Sequence, residues 1–112
     1  MEARPPKRFA VVADGRSLMR DLLRYLLEQQ GIDIASEALT GAAAVEAVAE
    51  HRPDVVILHE AAAMDPPDAI GRIRTSAPEA TLVILTADRS STLPTLRSAA
   101  DAVVEEGAGR QD

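Results

Sequence analysis

The stretch Arg52-Pro-Asp-Val-Val-Ile-Leu-His59 decides the fold of this chain. It contains four consecutive apolar residues, three of them β-branched, between a proline and a histidine. A short, continuous apolar run bounded in this way is typical of a parallel strand that is buried on both faces. We therefore predict a strand over Asp54–Leu58, within a domain that contains both strands and helices.

The same pattern recurs on both sides of this stretch. Short apolar runs predict four further strands, at Phe9–Ala13, Ile32–Leu39, Thr81–Thr86 and Ala102–Val104. Between the strands, apolar residues recur at spacings of three and four and predict helices: one from Ser17 to a stop at Gly31, and others over Ala42–Ala49, Asp68–Arg74 and Thr92–Ala99. Alternating strands and helices imply right-handed crossovers and a parallel sheet with helices on both faces.

Length and composition restrict the possible functions. The 112 residues, 46% of them hydrophobic, can build one core, which we assign to residues 8–107 between a loose lead-in (1–7) and a tail (108–112). A net charge of −6 argues against a nucleic-acid surface. The apolar runs are much shorter than the roughly 20 residues that span a bilayer, and no secretory leader is recognisable, so we expect a cytoplasmic protein. The chain has no cysteine, which excludes disulfides and thiolate chemistry.

Four segments, in order, match the pattern of a known family: Ala13–Arg20, Arg52–His59, Val83–Ala87 and Arg97–Asp101. Together they resemble the receiver domain of bacterial two-component response regulators. The resemblance implies a flavodoxin-like, doubly wound sheet of five parallel strands in the order 2-1-3-4-5, with the site at the carboxyl ends of the strands. The most similar subgroup is usually fused to helix-turn-helix output domains, which implies a role in transcription regulation.

The resemblance also implies a phosphorylation pocket, most of whose polar residues are absent here. Where the family has two acidic residues that hold Mg²⁺, this chain has Asp14 and Gly15. The phosphoacceptor aspartate corresponds to His59, which cannot form an aspartyl phosphate. The family's lysine corresponds to Glu106, or to Glu105 after a slip of one residue. We therefore predict a pocket that cannot be phosphorylated at the usual position.

The remaining positions of the pocket support the same interpretation. Thr86 matches the family's hydroxyl residue, but the aromatic switch residue of the last strand is replaced by Val103. The predicted vestigial pocket thus consists of Asp14, Gly15, His59, Thr86 and Glu106, with no catalytic residue, metal site or cofactor. With Glu60 also near, we expect it to be acidic and to repel a phosphoryl group.

Three functions follow as hypotheses. The main one is a regulatory module that is not an enzyme and acts through contact with a partner protein or through homodimerisation. The second is small-molecule sensing at the strand ends, because the resemblance includes atypical actinobacterial regulators thought to bind metabolites; the apolar loop Ala61–Met64 and the following Asp65-Pro-Pro67 could line such a pocket or a partner contact, or be loop drift. The third is residual phosphotransfer or metal binding by Asp14 and His59.

Two features bear on partners. Arg16, Arg20 and Arg24 recur every four residues, as a basic stripe that docks an acidic partner or as an ordinary charged helix face. After Glu106 the chain is too short and glycine-rich for the family's final helix, which packs beside the first helix. We therefore expect apolar surface near the first, fourth and last strands, explained by a domain cut from a longer protein, by a dimer or by a partner.

Overall fold

Five parallel strands form one sheet, in the order β2-β1-β3-β4-β5, in the computed structural model, which describes residues 7–88, 90 and 92–107. The strands are β1 (Arg8–Ala13), β2 (Ile32–Ala38), β3 (Val55–His59), β4 (Thr81–Thr86) and β5 (Ala102–Glu105). This order confirms the predicted doubly wound, flavodoxin-like fold. The assigned tail and all of the lead-in except Lys7 lie outside the described residues.

Five helices connect or follow the strands. They are α1 (Ser17–Gln29), α2 (Gly41–His51), α3 (Glu60–Met64), α4 (Ala69–Ser76) and α5 (Pro94–Ala99). The predicted bounds of the helices and strands differ from these by at most two residues. Helix α5 begins at Pro94 rather than at Thr92, because a proline suits the first helical position and keeps the preceding Leu93 extended.

Helix α3 occupies the segment that the sequence analysis treats as a loop. Three consecutive alanines favour a helix, and Glu60 in the first turn adds a favourable interaction with the helix dipole. Ala62 and Ala63 are buried against α2. The two helices approach so closely that a Cβ atom at Gly41 would lie 2.1 Å from the carbonyl oxygen of Ala62. Only glycine therefore fits at the start of α2.

The two faces of the sheet are covered unequally. On one, the closed face, α2, α4 and α5 pack over a large core whose fully buried members include Val56, Leu58, Ile73, Leu82 and Ile84. On the other, the open face, a smaller cluster of Val12, Leu23, Ile57 and Leu85 lies beneath α1. Among the described residues, α1 is the one helix that contributes to this second cluster.

Apolar side chains of the open face are in contact with solvent. Leu18, Leu22 and Leu26 of α1 and Val104 of β5 are all exposed. This agrees with the apolar surface that the sequence predicts near the last strand. Within the described part of the chain the longest helix has 13 residues, and no helix combines the length and the apolar character that crossing a membrane requires.

Candidate functional site

The carboxyl ends of the parallel strands bring the predicted pocket residues to one edge of the sheet. Asp14 follows β1, His59 ends β3, Thr86 ends β4 and Glu106 follows β5. The backbone N–H of Asp14 donates to Ala38 at the end of β2, and that of Glu106 donates to Thr86. All four residues therefore lie at the edge where a doubly wound sheet has its site.

Val103 lies elsewhere. It pairs with Ile84 in the middle of the sheet and packs against the core of the closed face. Its side chain is therefore part of the packing between β5 and the helices of that face. An aliphatic side chain at this position has no polar group that could couple the core to the polar edge.

Arg16 joins two of the edge residues through its guanidinium group. Nε and Nη2 of Arg16 donate to Oδ1 and Oδ2 of Asp14 at 2.8 and 2.6 Å. Nη1 and Nη2 donate to Oε2 and Oε1 of Glu106 at 2.8 and 2.6 Å. Paired charge-assisted hydrogen bonds of this kind are short and geometrically specific. We call Asp14, Arg16 and Glu106 the arginine clasp.

The clasp spans a large part of the sheet. The strands β1 and β5 are separated by β3 and β4, which corresponds to about 14 Å at the usual strand spacing. A long arginine side chain and the loops after both strands bridge this distance. The clasp therefore ties the start of α1 to the last strand on the side of the sheet where helix packing is sparse.

The charges of the clasp stabilise each other. Burial opposes ionisation of Asp14, whose side chain is fully buried, but the hydrogen bonds and the charge of Arg16 outweigh it, so the pKa of Asp14 lies below its ordinary value. Hydrogen bonds from Arg16 also lower the pKa of Glu106. The two carboxylates raise the pKa of Arg16. At neutral pH the clasp therefore consists of one cation between two anions.

This arrangement differs from the purely acidic pocket that the sequence analysis expects. Arg16 is the residue just before α1, and its backbone N–H donates to Oδ1 of Asp14 at 2.9 Å, which turns its side chain toward the strand ends. The acidic residues are therefore neutralised in part from within the chain. The expectation missed this because Arg16 was assigned to the outer face of the helix.

The other two arginines of the predicted stripe are also paired within the chain. Arg20 donates to the backbone oxygen of Asp14 at 2.9 Å and to Oε1 of Glu37 at 3.3 Å. Arg24 forms an ion pair with the other carboxylate oxygen of Glu37. The three arginines are therefore paired with carboxylates of the same chain, and the interpretation of the stripe as a docking site for an acidic partner stays a prediction.

Thr86 is engaged in hydrogen bonds at the same edge. Its buried hydroxyl donates to Oε1 of Glu60 at 3.1 Å and accepts from the backbone N–H of Asp88 at 3.2 Å. Glu60 is the first residue of α3. The hydroxyl therefore connects the end of β4 to α3 and is not free to bind a ligand.

His59 lies beside a shallow cavity of about 260 Å³. The cavity also borders on the predicted pocket and on the start of α2, and its lining includes Gly15, Arg16, Leu39, Thr40 and Gly41. Proximity to His59 adds a minor contribution to the lowered pKa values of Asp14 and Glu106, after the hydrogen bonds and charge of Arg16. Among the described residues, no group of three or more histidine, aspartate or glutamate side chains is placed to hold a metal ion.

Sequence reasoning missed the partner of Glu106 for a specific reason. Arg16 and Glu106 are 90 residues apart, so no local pattern connects them. The contact between Arg16 and Asp14 had a local signal, since an aspartate commonly accepts a hydrogen bond from the backbone two residues later. That signal predicts the backbone conformation at Arg16 but does not predict which groups its guanidinium contacts.

Comparison with known proteins gives one family. The model of the response regulator receiver domain matches residues 10–105. A protein-glutamate methylesterase/protein-glutamine glutaminase from Haloarcula marismortui is 41% identical over 76 residues, which cover 67% of this chain and 21% of that protein. The matched region thus spans about a fifth of the length of this relative.

Solved structures show the same fold. The response regulator domain of Thermotoga maritima CheB has a TM-score of 0.75 at 21% identity, covering 96% of this chain and 84% of that one. A chain in the complex of the CheA3 P1 domain with CheY6 from R. sphaeroides has a TM-score of 0.74 at 19% identity, covering 95% of this chain and 87% of that one. At these identities the likeness concerns the fold alone.

Proposed function

We propose that this chain is a regulatory module that works without phosphorylation at the usual position and acts through protein–protein contact. The chain belongs to the response regulator receiver domain family of two-component signalling. The observation that carries the proposal is the arginine clasp, because the charged groups of Asp14, Arg16 and Glu106 are already hydrogen-bonded to one another.

Asp14 is not available as a metal ligand in the manner of a free carboxylate. Both of its oxygens accept hydrogen bonds from Arg16, and its side chain is fully buried. Mg²⁺ requires several oxygen ligands in nearly octahedral geometry, and the neighbouring Gly15 supplies no side-chain oxygen. Binding a cation would require breaking the charge-assisted hydrogen bonds of the clasp.

The acceptor and the countercharge are also unsuited to an acyl phosphate. His59 carries an imidazole, so the chain has no carboxylate at the position where an aspartyl phosphate forms. Glu106 is an ionised carboxylate, and a like charge at about 4 Å disfavours a phosphoryl group by roughly 4 kcal/mol at an effective dielectric constant of 20. Arg16 is shared between two carboxylates and therefore offsets this repulsion only in part.

We assign a regulatory and not a catalytic role to the chain. The match to the methylesterase of Haloarcula marismortui covers 21% of that protein, and the receiver model by itself covers residues 10–105 of this chain. At the carboxyl edge the one hydroxyl of the pocket, that of Thr86, is buried and hydrogen-bonded to Glu60. In this proposal the chain passes on a signal by binding, either to a partner protein or to a second copy.

The cavity beside His59 supports a second candidate, the binding of a small molecule. Its volume of about 260 Å³ is slightly below the usual range of ligand pockets, roughly 300–1,000 Å³. It combines apolar groups, such as Leu39 and Ala61, with the imidazole of His59. A ligand there would lie against the clasp and the start of α2.

An NMR titration tests the phosphate-independent function. Amide signals of the full chain are followed during addition of Mg²⁺ and then of acetyl phosphate. The mass of the protein is then measured by mass spectrometry. We expect no shifts around Asp14, His59 and Thr86 and no gain of a phosphoryl mass. Shifts confined to this edge together with such a mass gain would overturn the proposal in favour of residual phosphotransfer or metal binding by Asp14 and His59.

A matched variant provides the positive control. Gly15→Asp, His59→Asp and Glu106→Lys together restore the family's acidic and basic residues, and a Cβ at residue 15 meets its nearest neighbour at an ordinary 3.5 Å. We expect Mg²⁺ to shift the edge signals in this variant. A folded triple variant whose amide signals do not shift with Mg²⁺ would show that the residues have been matched to the wrong positions of the family.

A further inference from the structure

Two carboxylates at opposite edges of the sheet are held by arginines at the start of one helix. Glu37 lies in β2 and Glu106 follows β5, and these two strands form the edges of the sheet, about 19 Å apart. Arg20 of α1 donates from Nε to Oε1 of Glu37 at 3.3 Å, and Arg24 pairs with the other oxygen. Arg16, just before α1, binds Glu106 in the clasp. The start of α1 therefore contacts both edges of the sheet.

Asp14 connects these two contacts. Its backbone oxygen accepts a hydrogen bond from Nη1 of Arg20 at 2.9 Å, and its carboxylate accepts from Nε and Nη2 of Arg16 at 2.8 and 2.6 Å. Its backbone N–H donates at 3.0 Å to the oxygen of Ala38, the residue after Glu37. The side chain of Asp14 is fully buried. Asp14 therefore cannot shift without disturbing a partner on each side.

We propose that an ionic strap couples the edge strand β2 to the edge strand β5, so that a change at one edge alters the other. The strap is a continuous chain of ion pairs and hydrogen bonds, which runs through Glu37, Arg20, Asp14, Arg16 and Glu106. This coupling goes beyond the proposed function, because it concerns transmission within the domain and not the binding of a partner. It corresponds to a coupling free energy between two sites that do not touch.

Two guanidinium groups make the strap stiff. A guanidinium is planar and carries its N–H donors in a fixed geometry. The guanidinium of Arg20 donates to Glu37 from Nε and to Asp14 from Nη1, and that of Arg16 donates to Asp14 and Glu106 together. A displacement of one partner therefore turns the guanidinium away from the other. A lysine carries its donors on a single nitrogen and lacks this fixed pair of directions.

Partial burial strengthens the contacts of the strap. The exposed fraction of its side chains is 0% at Asp14, 18–22% at Arg20, Glu37 and Glu106, and 42% at Arg16. Salt screens partly buried charges less than exposed ones. Hydrogen bonds arranged in a chain also polarise one another, so the loss of one weakens its neighbours.

The strand β2 also carries an ion pair outside the strap. Nζ of Lys7 lies 2.9 Å from Oδ2 of Asp33, and the two side chains are 63% and 45% exposed. Exposed ion pairs of this kind contribute little to stability. Removing the charge of Asp33 is therefore a matched control for removing the charge of Glu37, four residues further along the same strand.

Exchange of arginine side-chain protons with solvent, followed by NMR in the full chain, tests the coupling. The Nε proton of Arg16 is donated to Asp14, so its exchange rate reports how often the clasp opens. We expect Glu37→Gln to raise this rate about fivefold relative to that of the core amide of Leu58, which monitors global unfolding. Asp33→Asn should raise it less than about twofold.

The reverse direction gives an independent measurement, because a coupling free energy acts both ways. Glu106→Gln should raise the exchange rate of the Nε proton of Arg20 by a similar factor, again about fivefold. Arg20→Lys keeps the positive charge but removes the fixed pair of donor directions. It should therefore raise the rate at Arg16 as much as Glu37→Gln does.

Four outcomes would overturn the ionic strap. They are an Arg16 rate that does not change in Glu37→Gln, an equal effect of Asp33→Asn, an effect that is transmitted in one direction only, and an unchanged rate in Arg20→Lys. In each case the contacts of Arg16 and Arg20 would be independent ion pairs. The exchange measurements involve neither Mg²⁺ nor acetyl phosphate, so the strap and the proposed function can fail independently.

Discussion

The closed and open faces of the sheet have similar aliphatic strands but are stabilised in different ways. On the closed face, helices cover the strands and bury Leu58, Ile73 and Leu82 almost completely. On the open face, α1 covers a part of the strands, and the arginine clasp connects its start to the end of β5. Apolar packing thus stabilises the closed face, whereas hydrogen bonds between charged groups add to the stability of the open face.

This comparison shows where the domain can tolerate change. Burial of apolar area contributes about 25 cal/mol per Å², so the face with complete burial contributes most of the stability. The open face contributes less, and its exposed leucines remain available for a contact. A face that is only partly packed is a natural place for a regulatory module to bind another protein.

The largest expected effect concerns the core of the closed face. Ile73→Ala should lower the free energy of unfolding by about 3 kcal/mol, since it removes a fully buried side chain and leaves a cavity. Leu26→Ala, at an exposed position of α1, should cost less than about 1 kcal/mol. Urea denaturation measures both. Equal losses would mean that the open face is as well packed as the closed one.

A second prediction compares two glycines on the closed-face helices. Gly41→Ala should destabilise the domain by about 2 kcal/mol, because its Cβ would meet the backbone oxygens of Ala62 and Asp65 at 2.1 and 2.2 Å. Gly71→Ala meets no atom within 4 Å in α4 and should stabilise by roughly 0.5–1 kcal/mol. Thermal unfolding of the two variants gives the comparison. A neutral Gly41→Ala would contradict the close approach of α2 and α3.

The third prediction concerns the clasp of the open face. Arg16→Gln leaves the buried carboxylate of Asp14 without its cation and should cost about 1–3 kcal/mol at neutral pH. Arg72→Gln, at an exposed position of α4, serves as the matched control and should change stability by less than about 0.5 kcal/mol. Chemical denaturation at several pH values measures both variants.

The pH dependence of this effect has a definite sign. The pKa values of Asp14 and Glu106 are lowered in the folded state, so the unfolded state binds more protons in acid. Their contribution is therefore fully present above the ordinary carboxyl range, roughly pH 4–5, and is lost as the pH falls through the folded pKa values. In Arg16→Gln this loss should be much smaller. An unchanged pH profile would show that the clasp does not hold these carboxylates.

Much of the fold could be predicted from local patterns. The continuous apolar runs and the 3.6-residue spacing predicted five strands and four of the five helices, because burial on both faces of a parallel sheet leaves a clear signal in the sequence. The remaining helix, α3, was not predicted, because three alanines and a methionine fit a loop as well as a short helix. Close packing against Gly41 decides between them.

The candidate site was predictable in part. The resemblance to the receiver family assigned Asp14, His59, Thr86 and Glu106 to one edge of the sheet, where the carboxyl ends of the parallel strands meet. The partners of these residues were not predictable. Arg16 and Glu106 lie 90 residues apart, and Glu60 reaches Thr86 across 26 residues. Contacts at such separations depend on the three-dimensional arrangement of the loops.

The sequence by itself determined the alternation of strands and helices, the parallel sheet and the presence of an imidazole rather than a carboxylate at residue 59, since each depends on residue type and local spacing. Only the tertiary structure decided the direction of Arg16. Asp14 and Glu106 accept hydrogen bonds from its guanidinium at the strand ends, which draws the side chain away from the helix surface that its spacing indicated. Ion pairs with the carboxylates of Asp14 and Glu106 orient the flexible Arg16 side chain, and these two carboxylates come together only when the chain has folded.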